Sequence, residues 1–166
     1  HRGFSLSHAS AVMAQPKDLP LLIAGDAAFP GGICGLVASR LAEEFYRPAV
    51  VIRTGPETSG GSIRSIPEFN VIRALDRCRD FLVRYGGHSQ AAGFVTPRAN
   101  LERLQQRLLE IAARQLADVD LRPALIIDAM LLLSSLGRET YKVVSKLAPF
   151  GQGNQAPVFL REKVKV

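Results

Sequence analysis

The sequence is poor in the residues that build metal centres and disulfide frameworks. Its 166 residues include two cysteines and three histidines, and Cys34 and Cys78 match neither a zinc motif nor a disulfide-rich scaffold. It contains no Asp-His-His run and no cluster of carboxylates, so we expect no two-metal hydrolytic site and no other metal site within the chain. Both cysteines are expected to be buried and reduced, which favours a cytoplasmic location.

Long apolar runs are also absent, which argues against a membrane-spanning helix. The longest run, from Ala124 to Leu133, is interrupted by Asp128 and is well short of the roughly 20 residues that a bilayer requires. The apolar fraction of 47% is nevertheless sufficient for a buried core. We therefore expect a folded protein that does not enter a membrane.

Positive charge is the main compositional bias. The net charge is +6 with a pI near 9.8, and only five of the 21 basic residues are lysines. Arginine presents a planar fork that binds phosphate oxygens in pairs, so the bias favours a polyanionic partner. Genome composition can produce the same bias toward arginine. Charge alone therefore does not decide whether the protein binds a nucleic acid or no anionic ligand at all.

Apolar periodicity predicts an α/β fold with a mixed, mostly parallel sheet flanked by helices. A continuously apolar strand over residues 20–25, a helix and a second strand over residues 49–52 indicate a parallel pair with a right-handed crossover. Further strands are expected over residues 61–66 and 94–96, and helices are expected to start after Asn70 and Asn100 as capping residues. The inward positions of the first helix are expected to be Ile33, Leu36, Val37, Leu41 and Phe45.

Pro123 marks a boundary between this α/β region and the rest of the chain. Beyond it the pattern predicts a strand over residues 124–133, a helix over residues 138–147 and a strand over residues 158–166. Residues 1–19 lack periodicity and are expected to form a linker or tail.

The strongest local motif is GGHSQAAG at residues 86–93. Gly86 and Gly87 would let a ligand approach the main chain, and His88 would add a ring nitrogen beside exposed N–H groups. With Ser89 capping a short helix over residues 90–92, the motif would form a phosphate cradle. The alternative is a glycine-rich turn in which His88 is only hydrogen-bonded in place, and spacing alone slightly favours that alternative.

A second motif, GSIRS at residues 61–65, offers a hydroxyl and a guanidinium. In an extended strand Ser62 and Arg64 point to one face, where they could share a phosphate. The alternative is that Arg64 pairs with a surface carboxylate.

Three further arginines are spaced along the predicted third helix. Arg73, Arg77 and Arg84 are interpreted as partners of Asp76 and Asp80 in intrahelical ion pairs, without a ligand.

Four motifs together resemble the RecJ-like exonucleases of the DHH phosphoesterase superfamily, and specifically their DHHA1 domain. The first is PGGICGLVASRL at residues 30–41, followed by YRPAVV at residues 46–51. The second and third are the GSIRS and GGHSQAAG motifs, and the fourth, LAPFGQGNQAPVF at residues 147–159, is similar to the entry into the RecJ OB-fold domain. The motifs occur in the family's order, which makes the set more specific than any one of them.

The resemblance implies the substrate-binding part of a 5′→3′ single-stranded-DNA exonuclease of DNA repair and recombination. Residues 20–120 would be the DHHA1-like domain and residues 121–166 a truncated start of an OB-fold-like domain that helps thread the strand. Mn²⁺ or Mg²⁺ would be held by an upstream DHH domain of the same polypeptide, so this chain alone is expected to be inactive.

The resemblance also implies roles for individual residues. Ser62 and Arg64 would hold the 5′-terminal phosphate, while Gly86, Gly87 and His88 would contact the phosphate beside the metals. His88 would support catalysis by stabilising charge on the scissile phosphate. Phe29 departs from the family, which usually has a polar residue at that position, so no polar role is expected there.

Two other functions remain open at this point. One is a DHH-family phosphodiesterase acting on short oligonucleotides or cyclic dinucleotides, although the continuation through residues 149–159 favours the RecJ-like interpretation. The other is a non-catalytic module whose basic surface only anchors nucleic acid.

Overall fold

The computed structural model describes residues 19–151, 153–162 and 164. The linker interpretation of residues 1–19 therefore falls almost entirely outside the described residues. The chain divides into two compact units, one ending at Arg122 and the other beginning at Pro123. No described helix is long and apolar enough to cross a membrane.

The first unit alternates strands and helices. Short 3-10 turns lie at Gly31–Ile33, Arg79–Phe81 and Arg98–Asn100. The regular elements, in chain order, are β1 (Leu22–Asp26), α1 (Cys34–Phe45), β2 (Ala49–Arg53), β3 (Thr58–Arg64), α2 (Val71–Asp76), β4 (Arg84–Gly87), β5 (Ala91–Pro97) and α3 (Leu101–Leu116).

The sheet has the strand order β1-β2-β3-β5-β4. The expected parallel pair is confirmed for β1 and β2, and the mixed α/β class is confirmed with it. The expectation of a mostly parallel sheet is wrong, because the other described pairings of this sheet are antiparallel. The reason is the short connections: residues 54–57 join β2 to β3 and residues 88–90 join β4 to β5, and a parallel crossover needs a dozen or more residues.

Helices cover the two faces of the sheet unequally. On one face α1 packs against β2 and β3, and the core on this face, to which β1 also contributes, contains Ala24, Ala38 and Val51. On the other face α2 and α3 pack across the sheet, where Ile63, Phe94 and residues of both helices form a larger core. Since α1 is the one described helix on its face, the β5 and β4 side of that face is left open.

The buried stripe of α1 differs from the expected one. Leu36 is 69% exposed, whereas Cys34, Ala38, Leu41 and Ala42 are buried. These positions follow the i, i+4, i+7, i+8 spacing of one helix face. Their mostly small side chains let the helix lie close to the sheet. The prediction from hydrophobicity alone wrongly placed Leu36 in the buried stripe.

The two expected helix caps have different outcomes. The Asn70 side chain accepts a hydrogen bond from the Arg73 N–H at 3.2 Å, which confirms it as the cap of α2. Asn100 makes no such bond, because it closes a 3-10 turn and already has helical dihedral angles. The helix after Asn70 also ends at Asp76, so Arg84 belongs to β4 and not to a helical stripe.

The second unit has little regular structure. It contains β6 (Ala129–Met130), a 3-10 turn at Leu133–Ser135, α4 (Arg138–Ser145) and β7 (Phe159–Leu160), and β6 and β7 pair in parallel. The predicted strands over residues 124–133 and 158–166 are therefore much shorter than expected. None of the described residues from 123 onward is buried, so no core holds longer strands in this unit.

Candidate nucleic-acid interface

The uncovered part of the α1 side of the sheet, which we call the open face, carries most of the predicted site. Strand register arranges it in rows, because residues paired across strands share a face. One row is Ser62, Gly93 and Gly86. A second row, two residues along, is Arg53, Gly60, Val95 and Arg84. A third row pairs Arg64 with Ala91.

A groove of about 730 Å³ lies over this face. Arg53 and Arg84 line it, and its described lining residues include no carboxylate. Its remaining lining residues are Gly31, Cys34, Gly55, Pro56, Thr58, Gly60, Gly61, Ser62, Tyr85, Gly86, Gly93, Phe94 and Val95. Glycine-lined and bordered by two guanidinium groups, the groove is suited to an anionic ligand lying close to the main chain.

The packing of the described residues does not require the glycines of the open face. A Cβ built on Gly86 would meet no atom within 4 Å, and on Gly93 or Gly60 it would come no closer than 3.7 or 3.8 Å to its nearest neighbour. Glycine in a strand costs about 0.5–1 kcal/mol of stability relative to alanine. A ligand that approaches the backbone closely is a physical reason to keep this floor free of side chains.

Gly87 differs from its neighbour Gly86. Its φ is +147°, and a Cβ there would lie 2.3 Å from the Ala91 carbonyl oxygen. L-residues with side chains avoid this conformation, so Gly87 is needed to form the turn that follows it. Gly86 lines the groove and Gly87 does not.

The turn between β4 and β5 carries His88 and is held from several sides. The His88 N–H donates to the Ala91 carbonyl at 2.8 Å, and the Gln90 N–H donates to His88 Nδ1 at 3.4 Å. The Ser65 N–H donates to the Gln90 carbonyl and the Val71 N–H to the Ser89 carbonyl, each at 3.0 Å. His88 itself is exposed, so a fixed backbone presents its ring to solvent.

The predicted short helix over residues 90–92, capped by Ser89, is wrong. Ala91 and Ala92 begin strand β5, because the positive φ of Gly87 reverses the chain and brings these residues into register with β4.

Ser62 and Arg64 share one face of β3, as predicted. Arg64 Nη1 donates to the Ile63 carbonyl at 2.9 Å, and its guanidinium lies so close to α1 that a Cβ on Gly35 would be 2.9 Å from Arg64 Nη2. No ion pair joins Arg64 to a carboxylate of the described residues, so the surface-pair alternative is not observed.

The predicted site residues gather at one region of the sheet but do not line a single cavity. Ser62 and Gly86 line the groove, whereas Arg64 lines an adjacent cavity of about 460 Å³ with Tyr46 and Gln90. Ala91 connects Arg64 and His88. It is the cross-strand partner of Arg64, and its carbonyl accepts a hydrogen bond from the His88 N–H. The two side chains therefore belong to the same end of the sheet.

Comparison with known proteins identifies the fold family. Residues 18–114 match the DHHA1 domain and residues 127–166 match the RecJ OB domain. The chain belongs to the DHHA1 domain family.

Relatives of this DHHA1 protein are RecJ nucleases. The chain is 35% identical over 153 residues to the single-stranded-DNA-specific exonuclease RecJ of Bacillus subtilis, covering 91% of this chain and 20% of that protein. Crystal structures of Thermus thermophilus RecJ in complex with Mg²⁺ and with Mn²⁺ superpose with TM-scores of 0.74 and 0.73 at 28% and 27% identity. Each covers 92% of this chain, and the chain covers 24% and 23% of them. The chain thus spans about a fifth of the length of the curated relatives it matches.

The arginines of the DHHA1 domain are paired differently from the sequence-based expectation. Asp76 accepts from the Tyr85 hydroxyl at 2.9 Å, and Asp80 lies 3.8 Å from Arg79. The expected ion pairs of Arg73, Arg77 and Arg84 with these carboxylates are therefore wrong. α2 ends at Asp76, before Arg77 and Arg84, and the Asp76 carboxylate, which shares α2 with Arg73, binds Tyr85 instead.

One groove residue of the DHHA1 domain was missed. Arg53 ends β2, and its Nη1 reaches to within 3.6 Å of a Cβ built on Gly31. Its position at the end of a buried strand was the available sequence signal, but the pairing of β2 with β3 was needed to place it beside the groove.

The cysteines of the DHHA1 domain are structural. Both are buried and free, as predicted, and burial raises the pKa of the Cys78 thiol to about 11. Burial also raises the pKa of the Cys34 thiol, which lines the groove, so neither is a thiolate nucleophile at neutral pH.

Phe29 lies in the apolar core beneath α1. Among the described residues no group of three or more His, Cys, Asp or Glu side chains could hold a metal ion.

Proposed function

We propose that this chain is the strand-holding part of a RecJ-type 5′→3′ single-stranded-DNA exonuclease that acts in DNA repair and recombination in the cytoplasm. Residues 20–120 would hold the phosphates for a two-metal DHH domain of the same polypeptide, and residues 121–166 would begin an OB-like domain that guides the strand. The observation that carries this proposal is the row of glycines on the open face, which no packing contact among residues 19–151 requires.

Ser62 and Arg64 are the proposed contacts to the 5′-terminal phosphate. Arg64 uses one described hydrogen bond, to its neighbour's carbonyl, so most of its five donors are available to a ligand. The Ser62 hydroxyl lies on the same face, in the row that also contains Gly93 and Gly86. Together they supply the mixed hydroxyl and guanidinium donors that suit a terminal phosphate.

Gly86, Gly87 and His88 are the proposed contacts to the phosphate beside the metals. Because the Gln90 N–H donates to His88 Nδ1, the neutral ring carries its proton on Nε2, which can donate to a phosphate oxygen. His88 would stabilise charge that develops on the scissile phosphate. Mn²⁺ or Mg²⁺, the ions in the Thermus thermophilus RecJ crystals, would be supplied by the DHH domain, so the isolated chain would not cleave DNA.

The RecJ OB match over residues 127–166 favours this function over a phosphodiesterase of short oligonucleotides or cyclic dinucleotides. A non-catalytic binding module is the remaining alternative, and experiment separates it from the proposal.

The first test addresses binding. The chain should bind a fluorescent 5′-phosphorylated single strand in anisotropy titrations, with an affinity that falls as salt rises, and it should release no nucleotides in Mn²⁺. Gly86→Ala should leave the unfolding midpoint in urea unchanged or slightly raised, because the added methyl meets no protein atom. The same methyl should weaken single-strand binding by about fivefold, roughly 1 kcal/mol. Wild-type affinity in Gly86→Ala, or equal binding of single strand and duplex, would contradict the proposal.

The second test addresses catalysis in a polypeptide that joins this chain to its DHH domain. His88→Ala should lower turnover at least about a hundredfold, the range for loss of one preorganised donor to the transition state, while Mn²⁺ binding measured by calorimetry stays unchanged. The non-catalytic alternative predicts unchanged turnover. Ser89→Ala, at the neighbouring exposed position of the same turn, is the matched control.

A further inference from the structure

The open face has cationic groups at two separate levels of the sheet. Arg64 occupies one level, together with the turn that carries His88. Arg53 and Arg84 occupy the other, at opposite ends of the row that also contains Gly60 and Val95. On β3 the two levels are marked by Gly60 and Arg64, which are four residue steps apart, or about 13 Å at the usual rise of a strand.

Arg53 and Arg84 face each other across the groove. They lie three strands apart, about 14 Å between backbones at normal strand spacing, and both line the groove. Arginine side chains extended from both sides can reach one ligand atom between them. Gly60, between them in the row, leaves the floor open for that ligand.

Neither arginine is in an ion pair with a carboxylate of the described residues. Asp26 is the cross-strand neighbour of Arg53, and its Oδ1 accepts from the Ala28 N–H at 2.8 Å. With no carboxylate in the groove lining, two positive charges converge on this level of the groove, and an anion would lower their mutual repulsion.

We propose that Arg53 and Arg84 form a second phosphate seat, which binds the internal phosphodiester on the 3′ side of the scissile one. This inference rests on the proposed function and deepens it, because it sets the substrate of the groove as a strand end of at least three nucleotides. Gly86, a proposed contact of the scissile phosphate, lies two residues from Arg84 on the same strand, about 6.6 Å along it. That distance suits neighbouring phosphates of an extended single strand.

The test compares ligands with two and three phosphates. The 5′-phosphorylated dinucleotide pdTpdT and the trinucleotide pdTpdTpdT would compete with a 3′-fluorescein, 5′-phosphorylated thymidine dodecamer for the full chain. For the wild-type chain pdTpdTpdT should compete about tenfold better, the effect of one charge-assisted contact. In the Arg53→Ala/Arg84→Ala double variant this advantage should disappear while competition by the dinucleotide is unchanged.

The salt dependence of dodecamer binding gives an independent readout. Loss of one phosphate contact should reduce the slope of log affinity against log salt by about 0.7 in the double variant. The Arg73→Ala/Arg77→Ala double variant removes the same two charges from exposed positions within and at the end of α2. Because α2 packs on the other face of the sheet, this variant should change neither readout.

The outcomes separate the two proposals. A trinucleotide advantage that persists in the double variant overturns the second seat and leaves the proposed function standing. Loss of dinucleotide competition in the double variant also overturns it, because these arginines would then hold the terminal or the scissile phosphate. Failure of the wild-type chain to bind any single strand overturns the proposed function and this inference together.

Discussion

Strands β3, β4 and β5 carry glycines on both faces, and the two sets are present for different reasons. Gly61 and Gly87 lie on the packed face, where an added Cβ would come within 2.3 Å of the Phe94 ring and of the Ala91 carbonyl oxygen, respectively. On the open face, the nearest protein atom to a Cβ on Gly60, Gly86 or Gly93 is at least 3.7 Å away. Folding therefore accounts for the first set, and the ligand proposed to lie against the sheet would account for the second.

The largest effect is expected at Gly87. Gly87→Ala should lower the free energy of unfolding by about 3 kcal/mol, since it combines a strained positive φ with backbone overlap. Urea unfolding followed by circular dichroism measures the change, and Gly86→Ala at the adjacent residue is the control. Equal stabilities of the two variants would remove the distinction between the faces.

Gly61 provides a somewhat smaller effect on the same packed face. Gly61→Ala should cost about 2 kcal/mol, because the new methyl overlaps the ring of buried Phe94 and overpacking a core costs about 1–3 kcal/mol. The double variant Gly61→Ala/Phe94→Leu should lose less stability than the sum of the two single changes, because the smaller side chain makes room for the methyl. Additive losses would show that Phe94 is not the obstacle.

Local periodicity was sufficient for the elements with one clear buried side. The first two strands and their parallel pairing were predicted correctly, as was the start of a helix after Asn100. The Asn70 cap was also correct, because a capping bond spans three residues. These features depend on residues close together in sequence, where spacing alone carries the information.

The errors arose where long-range pairing decides the structure. Ala91 and Ala92 favour helix by intrinsic propensity, yet they lie in β5 because Gly87 reverses the chain and β3 pairs with them. The shared face of Ser62 and Arg64 was visible from alternation within one strand. The place of Arg53 beside the groove depended on the register between β2 and β3, which no local pattern specifies.

The smallest expected effect tests whether α1 also shapes the open face. A Cβ on Gly35 would lie 2.9 Å from Arg64 Nη2, which is the far end of a flexible side chain that can move aside. Gly35→Ala should therefore leave the unfolding midpoint within about 0.5 kcal/mol of wild type, while displacing the guanidinium from its position beside Ser62. The preference for a 5′-phosphate over a 5′-hydroxyl, measured by anisotropy with otherwise identical strands, should fall about threefold, or roughly 0.7 kcal/mol. Gly32→Ala is the matched control, because a Cβ there meets nothing within 4 Å and should preserve the preference. If both variants keep the full 5′-phosphate preference, the seating of Arg64 against α1 does not determine how the phosphate is held, and the glycine at position 35 serves only the close packing of the helix on the sheet.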